Sequence, residues 1–306
     1  MTQKTVVHIE PLAPFDLALS ALVFADGNRR VRSFQEGYFS QVINVNENLV
    51  WVRLFLEGSV DKPKLMLELY AEDKLSIETV HKVQGVVSQI FSLNLPLTHF
   101  YDYVKGDHVM SQVTQRLCGF KFPVTPTVFE AFVDAIVEQQ ISIKVARNIE
   151  ERLAVMFGDR VSVGGEEFFA FPSATALVVA GVDRIRQAGL SMRKADYIYG
   201  VAKRVVEGCL DLEGMREWSL GEVVSVLDDI RGVGVWTAEL TVLRGMGRFD
   251  VLPADDFGLR RVISRYYCDS RSISALEARQ IAEGWGCWKG LAAFYLVIAE
   301  VLDVCL

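Results

Sequence analysis

The chain has 306 residues, 51% of them hydrophobic and 23% charged, so it can bury a sizeable core and is not disordered. Its length predicts two or three domains. A net charge of −7 argues against a protein that coats nucleic acid or an anionic membrane, because phosphate contacts need clustered Lys and Arg.

Particular residues exclude further classes of protein. The amino-terminal ten residues contain no apolar segment of signal-peptide length, and the apolar run at 290–299 is too short to span a bilayer. The five cysteines are widely spaced and form no Cys-x-x-Cys pair, which predicts neither a disulfide framework nor a cysteine zinc site. We therefore expect a protein of a reducing, cytoplasmic compartment that has no contact with a membrane.

Residues 1–105 predict an α+β domain built on an antiparallel sheet. Three segments are rich in β-branched and aromatic residues and predict strands, at 4–9, 49–56 and 64–70. Turns are predicted at 26–28 and 57–59, where glycine is flanked by polar residues. Apolar residues at helical spacing then predict a helix over 76–91.

Residues 106–306 predict an all-helical domain, because the segments become long and helix-periodic with short Gly or Pro breaks. The predicted helices, in chain order, are 127–157, 174–179, 184–188, 193–207, 220–227, 235–244, 256–267, 273–285 and 289–302.

The stretch 227–238 reads Leu-Asp-Asp-Ile-Arg-Gly-Val-Gly-Val-Trp-Thr-Ala and predicts two helices joined by a glycine turn. Glycines let a backbone approach a partner closely, and the second helix begins with free N–H groups that can hold a phosphate. This is the logic of a helix-hairpin-helix, which grips a DNA backbone without reading its sequence. An ordinary turn between helices with glycine caps is the alternative.

A Pro-containing loop follows one helix later and delivers Asp255 and Asp256 to a helix start. We expect one carboxylate to cap that helix and the other to face a cleft beside the hairpin. A carboxylate next to a bound nucleotide suits cleavage of an N-glycosidic bond, because it stabilises an oxocarbenium-like transition state.

The two motifs together resemble the helix-hairpin-helix (HhH-GPD) DNA glycosylases, most closely the 3-methyladenine DNA glycosylase II branch. Three further segments are similar to that family, at 14–17, 138–142 and 193–195. The resemblance implies a sheet domain followed by a two-lobed helical domain with the cleft between the lobes. It implies a monofunctional enzyme that flips an alkylated purine out of duplex DNA and hydrolyses its glycosidic bond, leaving an abasic site in base excision repair.

The resemblance also assigns roles to residues. Asp256 matches the catalytic aspartate, Asp255 would be structural, and Gln140 matches the wedge that fills the gap left by a flipped base. The residues implied to bind DNA are Gln139, Gln140, Gly232, Gly234 and Thr237. The residues implied to line the base pocket are Trp236, Leu240 and Val297, the last two aliphatic where the family often has aromatics.

The resemblance also implies which cofactors and which subfamily to expect. Backbone carbonyls of Asp228, Ile230 and Val233 would hold a structural Na⁺ or K⁺, and no cofactor is required. Cys268, Cys287 and Cys305 lack the spacing of an iron–sulfur site. Trp236 occupies the position of the lysine nucleophile of bifunctional relatives, so no lyase activity is expected.

The implied partner is double-stranded DNA containing a damaged base, bound by a monomer in the cytoplasm, or at the nucleoid in a bacterium or archaeon. Two alternatives stay open: an 8-oxoguanine-type glycosylase and a non-catalytic hairpin protein that only binds DNA. The charge of −7 does not exclude DNA, since six arginines lie near the motifs and backbone donors carry no net charge. We expect few phosphate contacts and a modest salt dependence of binding.

Overall fold

The computed structural model describes residues 2–22, 24–25, 29–45 and 48–303. Its amino-terminal part is an antiparallel five-stranded sheet of order β1-β5-β4-β3-β2. The strands are β1 (Gln3–Ile9), β2 (Arg32–Gln35), β3 (Tyr38–Val45), β4 (Asn48–Leu56) and β5 (Leu65–Ala71). The three predicted strands and the turn at 57–59 are confirmed, whereas the predicted turn at 26–28 lies outside the described residues. The α+β class is confirmed.

One face of the sheet is covered by two helices, α1 (Leu17–Leu22) and α2 (Ile77–Ile90). Alternate residues of β5, such as Leu67, are fully buried against it. The predicted helix at 76–91 is confirmed as α2, and Ser76 caps it by accepting the N–H of Thr79.

The rest of the chain is mainly helical and shares one large hydrophobic core. Its helices are α3 (Leu97–Val104), α4 (His108–Arg116), α5 (Val128–Glu138), α6 (Ile143–Phe157), α7 (Ala174–Arg186), α8 (Met192–Val206), α9 (Leu220–Asp228), α10 (Val235–Met246), α11 (Phe257–Tyr267), α12 (Ala275–Ala282) and α13 (Lys289–Val301). Leu97 and Phe100 of α3 pack in this core, so the helical packing begins ahead of the predicted boundary between residues 105 and 106. Within the described residues, no helix has the length and apolarity needed to cross a membrane.

The predicted helix at 127–157 is wrong as a single element, because the chain breaks between α5 and α6. Gln140 has φ +56°, a left-handed conformation that a continuing α-helix cannot contain. Ser142 is extended and precedes the first turn of α6. The break turns residues 139–142 into a loop, and this loop lies at the candidate site.

A two-stranded hairpin, β6 (Arg160–Val163) and β7 (Glu166–Phe169), corrects the prediction that residues 106–306 are entirely helical. The hairpin covers the second face of the amino-terminal sheet. The rings of Phe168 and Trp51 stack with their centroids 4.3 Å apart, and Val161 packs in the same cluster. Without this cover the sheet would expose Trp51 to water, so burial of apolar surface explains the hairpin.

Candidate active site

Four segments distant in the sequence meet around a cleft of about 990 Å³. They are the α5–α6 loop, the start of α10, the loop before α11, and α13. The predicted site residues that line the cleft are Gln139, Gln140, Gly234, Trp236, Thr237, Leu240, Asp256 and Val297. The sequence motifs therefore converge on one concave surface, as an active site requires.

The glycine turn between α9 and α10 has the backbone geometry of a hairpin. Gly232 has φ +88°, and a Cβ on it would lie 2.3 Å from the ring of Tyr197. The N–H of Val233 donates to the carbonyl of Ile230 at 2.9 Å and closes the turn. Gly234 is the extended residue before α10, and no side chain caps that helix. The first N–H groups of α10 are consequently left for an external acceptor.

Gln139 links the α5–α6 loop to this hairpin. Its side-chain amide donates to the carbonyl of Gly232 at 2.9 Å and to the hydroxyl oxygen of Thr237 at 3.0 Å. The Thr237 side chain is only 2% exposed. A DNA contact by Thr237 would therefore come from its backbone N–H in the first turn of α10, not from its hydroxyl.

Gln140 is exposed at the rim of the cleft and belongs to the α5–α6 loop, not to a helix. Lys194, on α8, holds the loop beneath it. The Lys194 ammonium donates to the carbonyls of Val137 at 2.7 Å and Gln139 at 2.5 Å. Burial lowers the pKa of Lys194, but both acceptors belong to the carboxyl end of α5, where a positive charge is favourable.

Replacing Lys194 by Met should lower the free energy of unfolding by about 1–3 kcal/mol, because two buried carbonyls lose a charged donor. It should also slow base flipping, since the Gln140 loop loses its anchor. Urea unfolding and the fluorescence of 2-aminopurine beside a lesion measure the two effects. Lys203→Met is the matched control, because Lys203 is an exposed lysine of the same helix that pairs with Glu207. Equal effects of the two variants would contradict the anchoring role.

Asp256 both caps α11 and lines the cleft, which corrects the expectation that two different acids take these tasks. Its Oδ1 accepts the N–H of Leu259 at 2.8 Å. Its Oδ2 has no hydrogen-bonding partner within the described part of the chain. The cap therefore fixes the orientation of the carboxylate while one oxygen is left for the cleft.

Asp255 is held in a network that the sequence did not predict. Its Oδ2 lies 3.6 Å from a guanidinium nitrogen of Arg279. Arg279 makes a bidentate pair with buried Glu239, at 2.7 and 3.0 Å, and donates to the carbonyl of Leu252 at 2.9 Å. Burial raises the pKa of Glu239, and the bonds from Arg279 oppose that rise. This network fixes the Pro253 loop and so the position of Asp256, in keeping with a structural role for Asp255.

The predicted base pocket has mainly aliphatic walls, whereas an aromatic side chain is exposed at the edge of the cleft. Leu240 is 3% exposed, and Val297 lines the cleft from α13. The indole N–H of Trp236 is buried and has no hydrogen-bonding partner among the described residues. Phe257, which the sequence reasoning missed, follows Asp256 on the cleft and is 75% exposed. Its role at the cleft could have been predicted from its position, because it is a large apolar residue directly after the acid that caps α11.

Most arginines near the cleft are engaged with acids of the chain. The ion pairs are Arg231 with Asp196, Arg244 with Glu138, Arg248 with Asp250, and Arg261 and Arg265 both with Glu300. Arg260 donates to the carbonyl of Ala254. These partners compete with phosphates for the guanidinium groups, most weakly at the exposed Arg231, so we continue to predict few phosphate contacts.

We expect the logarithm of DNA affinity to fall against the logarithm of salt concentration with a slope no steeper than about −3. Arg231 is 83% exposed beside the hairpin, and Arg231→Gln should flatten the slope by about one. Fluorescence anisotropy of labelled duplex over a salt series measures both values. A slope that required many ion pairs would contradict the geometry described above.

A second cavity of about 310 Å³, which we term the acid chamber, lies between α5, α6, α10 and β2. Glu130 pairs with Arg32, and Glu138 pairs with Arg244. The carboxyl groups of Asp134 and Glu150 also line it. Burial, with repulsion from neighbouring carboxylates, raises the pKa of Asp134 well above its usual range and that of Glu150 to about 8.

The raised pKa of Glu150 predicts that the protein loses stability as the pH rises. Between about pH 4.5 and 8 the folded state binds a proton that the unfolded state has released, so the free energy of unfolding falls with pH. Glu150→Gln should flatten that fall and raise the Tm at pH 8. Thermal unfolding at pH 5.5 and 8 checks this, with Glu207→Gln on the surface of α8 as control. A steeper fall in the Glu150 variant would contradict the assignment.

The chain is similar to known DNA repair proteins in both sequence and structure. The family model described as "HhH-GPD superfamily base excision DNA repair protein" matches residues 133–287. The DNA-3-methyladenine glycosylase of Bacillus subtilis is 25% identical over 88% of this chain and 88% of its own. The structure of the 3-methyladenine DNA-glycosylase of Archaeoglobus fulgidus matches with a TM-score of 0.87 and 29% identity, over 98% of this chain and 100% of its own.

A third similarity concerns the fold alone. The 8-oxoguanine glycosylase/lyase of Clostridium acetobutylicum, in complex with dsDNA containing cytosine opposite 8-oxoG, matches with a TM-score of 0.79 and 17% identity. The match covers 99% of both chains. The sheet domain and the helical part are therefore a scaffold that is similar in proteins with different named substrates.

Proposed function

Because the chain belongs to the HhH-GPD superfamily of base excision DNA repair proteins, we propose that it is a monofunctional DNA glycosylase acting on alkylated purines. It flips the damaged base out of duplex DNA and hydrolyses the N-glycosidic bond, leaving an abasic site. The observation that carries this proposal is Asp256, whose carboxylate lies on the cleft beside the glycine hairpin. The similarity to the 3-methyladenine glycosylases of B. subtilis and A. fulgidus supports the choice of substrate.

Asp256 acts electrostatically in this proposal. As the bond between the sugar and the base lengthens, positive charge develops on the sugar, and a carboxylate held nearby lowers the energy of that state. Its Oδ1 is tied to the N–H of Leu259, so the charge is oriented before the substrate arrives. A base that already carries positive charge leaves without needing a proton, and water then attacks the sugar.

DNA is held by the hairpin and the α5–α6 loop. The N–H groups at the start of α10, which no side chain caps, donate to a phosphate, and Gly232 and Gly234 let the backbone come close. Gln140 enters the stack in place of the flipped nucleotide, which partly restores the lost stacking energy. The enzyme works as a monomer in the cytoplasm, or at the nucleoid in a bacterium or archaeon.

A monovalent cation fits the hairpin carbonyls. Those of Asp228 and Val233 accept no backbone N–H in the described chain, and that of Ile230 accepts one, from Val233. Neutral carbonyl oxygens suit Na⁺ or K⁺, which would add positive charge where a phosphate binds. No step of base release depends on it. No other cofactor is required, and we propose that no iron–sulfur cluster is present.

The alternative of an 8-oxoguanine-type glycosylase with lyase activity has the similar fold in its favour. Such chemistry needs an amine that forms a Schiff base with the sugar. No lysine is among the described residues that line the cleft, and Trp236 lies there instead. Borohydride trapping on an abasic duplex tests this alternative, since a covalent adduct would demand a nucleophilic amine.

The alternative of a protein that only binds DNA does not explain the carboxylate on the cleft, because a negative charge beside phosphates weakens binding. A panel of duplexes with one lesion each tests the proposal against it. The panel contains 3-methyladenine, 7-methylguanine, hypoxanthine, uracil and 8-oxoguanine. We expect release of the alkylated purines; binding without release of any base would contradict the proposed function.

A further inference from the structure

The acid chamber adjoins the base pocket. Six residues line both the cleft and the chamber: Glu138, Ile143, Arg244, Phe294, Val297 and Val301. Glu138 is the charged acceptor of this shared wall, and Arg244 holds its Oε1. A base that entered the cleft beside Asp256 and Trp236 would therefore approach the wall that contains Glu138 and Arg244. The chamber volume of about 310 Å³ is large enough to receive the polar edge of a purine.

Two acceptors of the chamber have no partner. Oδ1 of Asp134 and Oε1 of Glu150 are covered from solvent and accept no hydrogen bond within the described residues. Buried polar atoms are almost always paired, so an unpaired pair of carboxyl oxygens in a cavity points to a ligand that donates to them. Asp134 comes from α5 and Glu150 from α6, so two helices present them to the same space.

The chamber carries more acid than base. Five carboxyl side chains line it, those of Glu130, Asp134, Glu138, Glu150 and Glu151, against the three guanidinium groups of Arg32, Arg147 and Arg244. Burial, with repulsion from the Glu138 carboxylate, raises the pKa of Glu150 to about 8, so the free protein keeps a proton there. An arriving cation can take the place of that proton, which passes to bulk water.

Phe257 and Phe294 offer π faces at the cleft, but another part of the pocket wall cannot recognise a charged base by stacking. Leu240 and Val297 have no π face, so they offer no cation–π attraction to a charged base. Trp236 is the aromatic group of the predicted pocket, and its indole N–H is a donor, suited to an acceptor atom of the base. Positive charge and N–H donors on the base are instead matched by carboxylates.

We propose that the acid chamber is the specificity subsite for the flipped base, in which Asp134, Glu138 and Glu150 select positively charged purines that bear an exocyclic amino group. This inference rests on the proposed glycosylase function. The amino and ring N–H groups donate to the carboxyl oxygens, and the charge of the base is neutralised there. A neutral purine of similar size that lacks the amino group brings no charge and fewer donors to these oxygens, and it binds less well.

The test compares release of 7-methylguanine and hypoxanthine from otherwise identical duplexes by the full-length chain. 7-Methylguanine is positively charged in DNA and has a 2-amino group, whereas hypoxanthine is neutral and lacks that group. Glu150→Gln and Asp134→Asn should each lower the ratio of kcat/KM for 7-methylguanine to that for hypoxanthine by about tenfold or more. Glu207→Gln, at the exposed end of α8, is the matched control.

The ratio of the two kcat/KM values distinguishes a loss of base recognition from a loss of folded protein. Both variants remove an uncompensated buried acid and are expected to be at least as stable as the parent protein, so a loss of selectivity cannot come from unfolding. A structural defect would lower both kcat/KM values together and leave the ratio unchanged, and that result would overturn the proposal. Failure of the unaltered protein to release either base would instead overturn the proposed glycosylase function, and the subsite with it.

Discussion

Replacing Asp256 by Asn should slow base release by about 10²–10³-fold while leaving the affinity for duplex DNA within about threefold. The carboxylate is the charge that we expect to stabilise the sugar cation, and the amide carries no charge. Asparagine is as good a capping residue as aspartate, so its side-chain oxygen can still accept the N–H of Leu259. The helix start and the shape of the cleft are therefore kept.

Single-turnover release of 7-methylguanine and anisotropy of the same duplex measure the two quantities. Asp102→Asn is the control for charge removal, because Asp102 is an exposed carboxylate of α3 paired with Lys105. It should change neither quantity. Retained release by the Asp256 variant would remove the catalytic assignment, and a parallel loss of DNA binding would assign Asp256 to the binding surface instead.

Replacing Gly232 by Ala should weaken DNA binding by about tenfold or more and lower the free energy of unfolding by about 1–3 kcal/mol. Two causes add at this position. The φ of +88° disfavours any residue with a Cβ, and that Cβ would lie 2.3 Å from the ring of Tyr197. The carbonyl of Gly232 would move with the turn, so the bond from Gln139 and the link to the α5–α6 loop would be lost as well.

The variant Gly234→Ala distinguishes an effect on DNA binding from an effect on folding stability. Gly234 is extended, and a Cβ on it would meet no atom within 4 Å, so the variant should fold with an unchanged Tm. It places a methyl group where we expect a phosphate and should weaken binding alone. Gly200→Ala, with equally open space on α8, controls for the substitution itself. Equal stability and affinity of the Gly232 variant and the parent protein would contradict the hairpin geometry.

The helices and strands that bury one face and expose the other were predictable from the sequence, because their apolar residues recur with a clear period. β1, α2 and most helices of the second part have that periodicity, and they were predicted to within a few residues. β3 was missed because both of its faces are covered: six of its eight residues are buried, so no period-2 pattern is left to detect. The hairpin at 160–169 was missed for a related reason, since its two strands are short and are stabilised by packing against Trp51.

The candidate site was predictable where its signals are local. The glycine hairpin at 227–238 and the acid loop at 250–261 each follow from turn and capping chemistry within a stretch of twelve residues. The pairs that position them join residues far apart in the chain, such as Lys194 to Gln139 and Arg279 to Glu239. No local pattern predicts such contacts, and the acid chamber is hidden for the same reason.

Net charge predicted little about the partner of this protein. Among the described residues, many acids form ion pairs with arginines. The donors of the hairpin are backbone N–H groups, which a count of charged residues does not include. An acidic chain can therefore bind DNA through a small local surface. The total charge of −7 does not report this local surface.

One assay tests the central claim most directly: single-turnover incubation with a duplex that contains one 7-methylguanine, analysed with and without alkali. Hydrolysis of the glycosidic bond leaves an abasic site that alkali cleaves, so we predict a strand break only in the alkali-treated sample. An intact strand after alkali would contradict base release. A strand break without alkali would contradict monofunctional hydrolysis and require an amine nucleophile in the cleft.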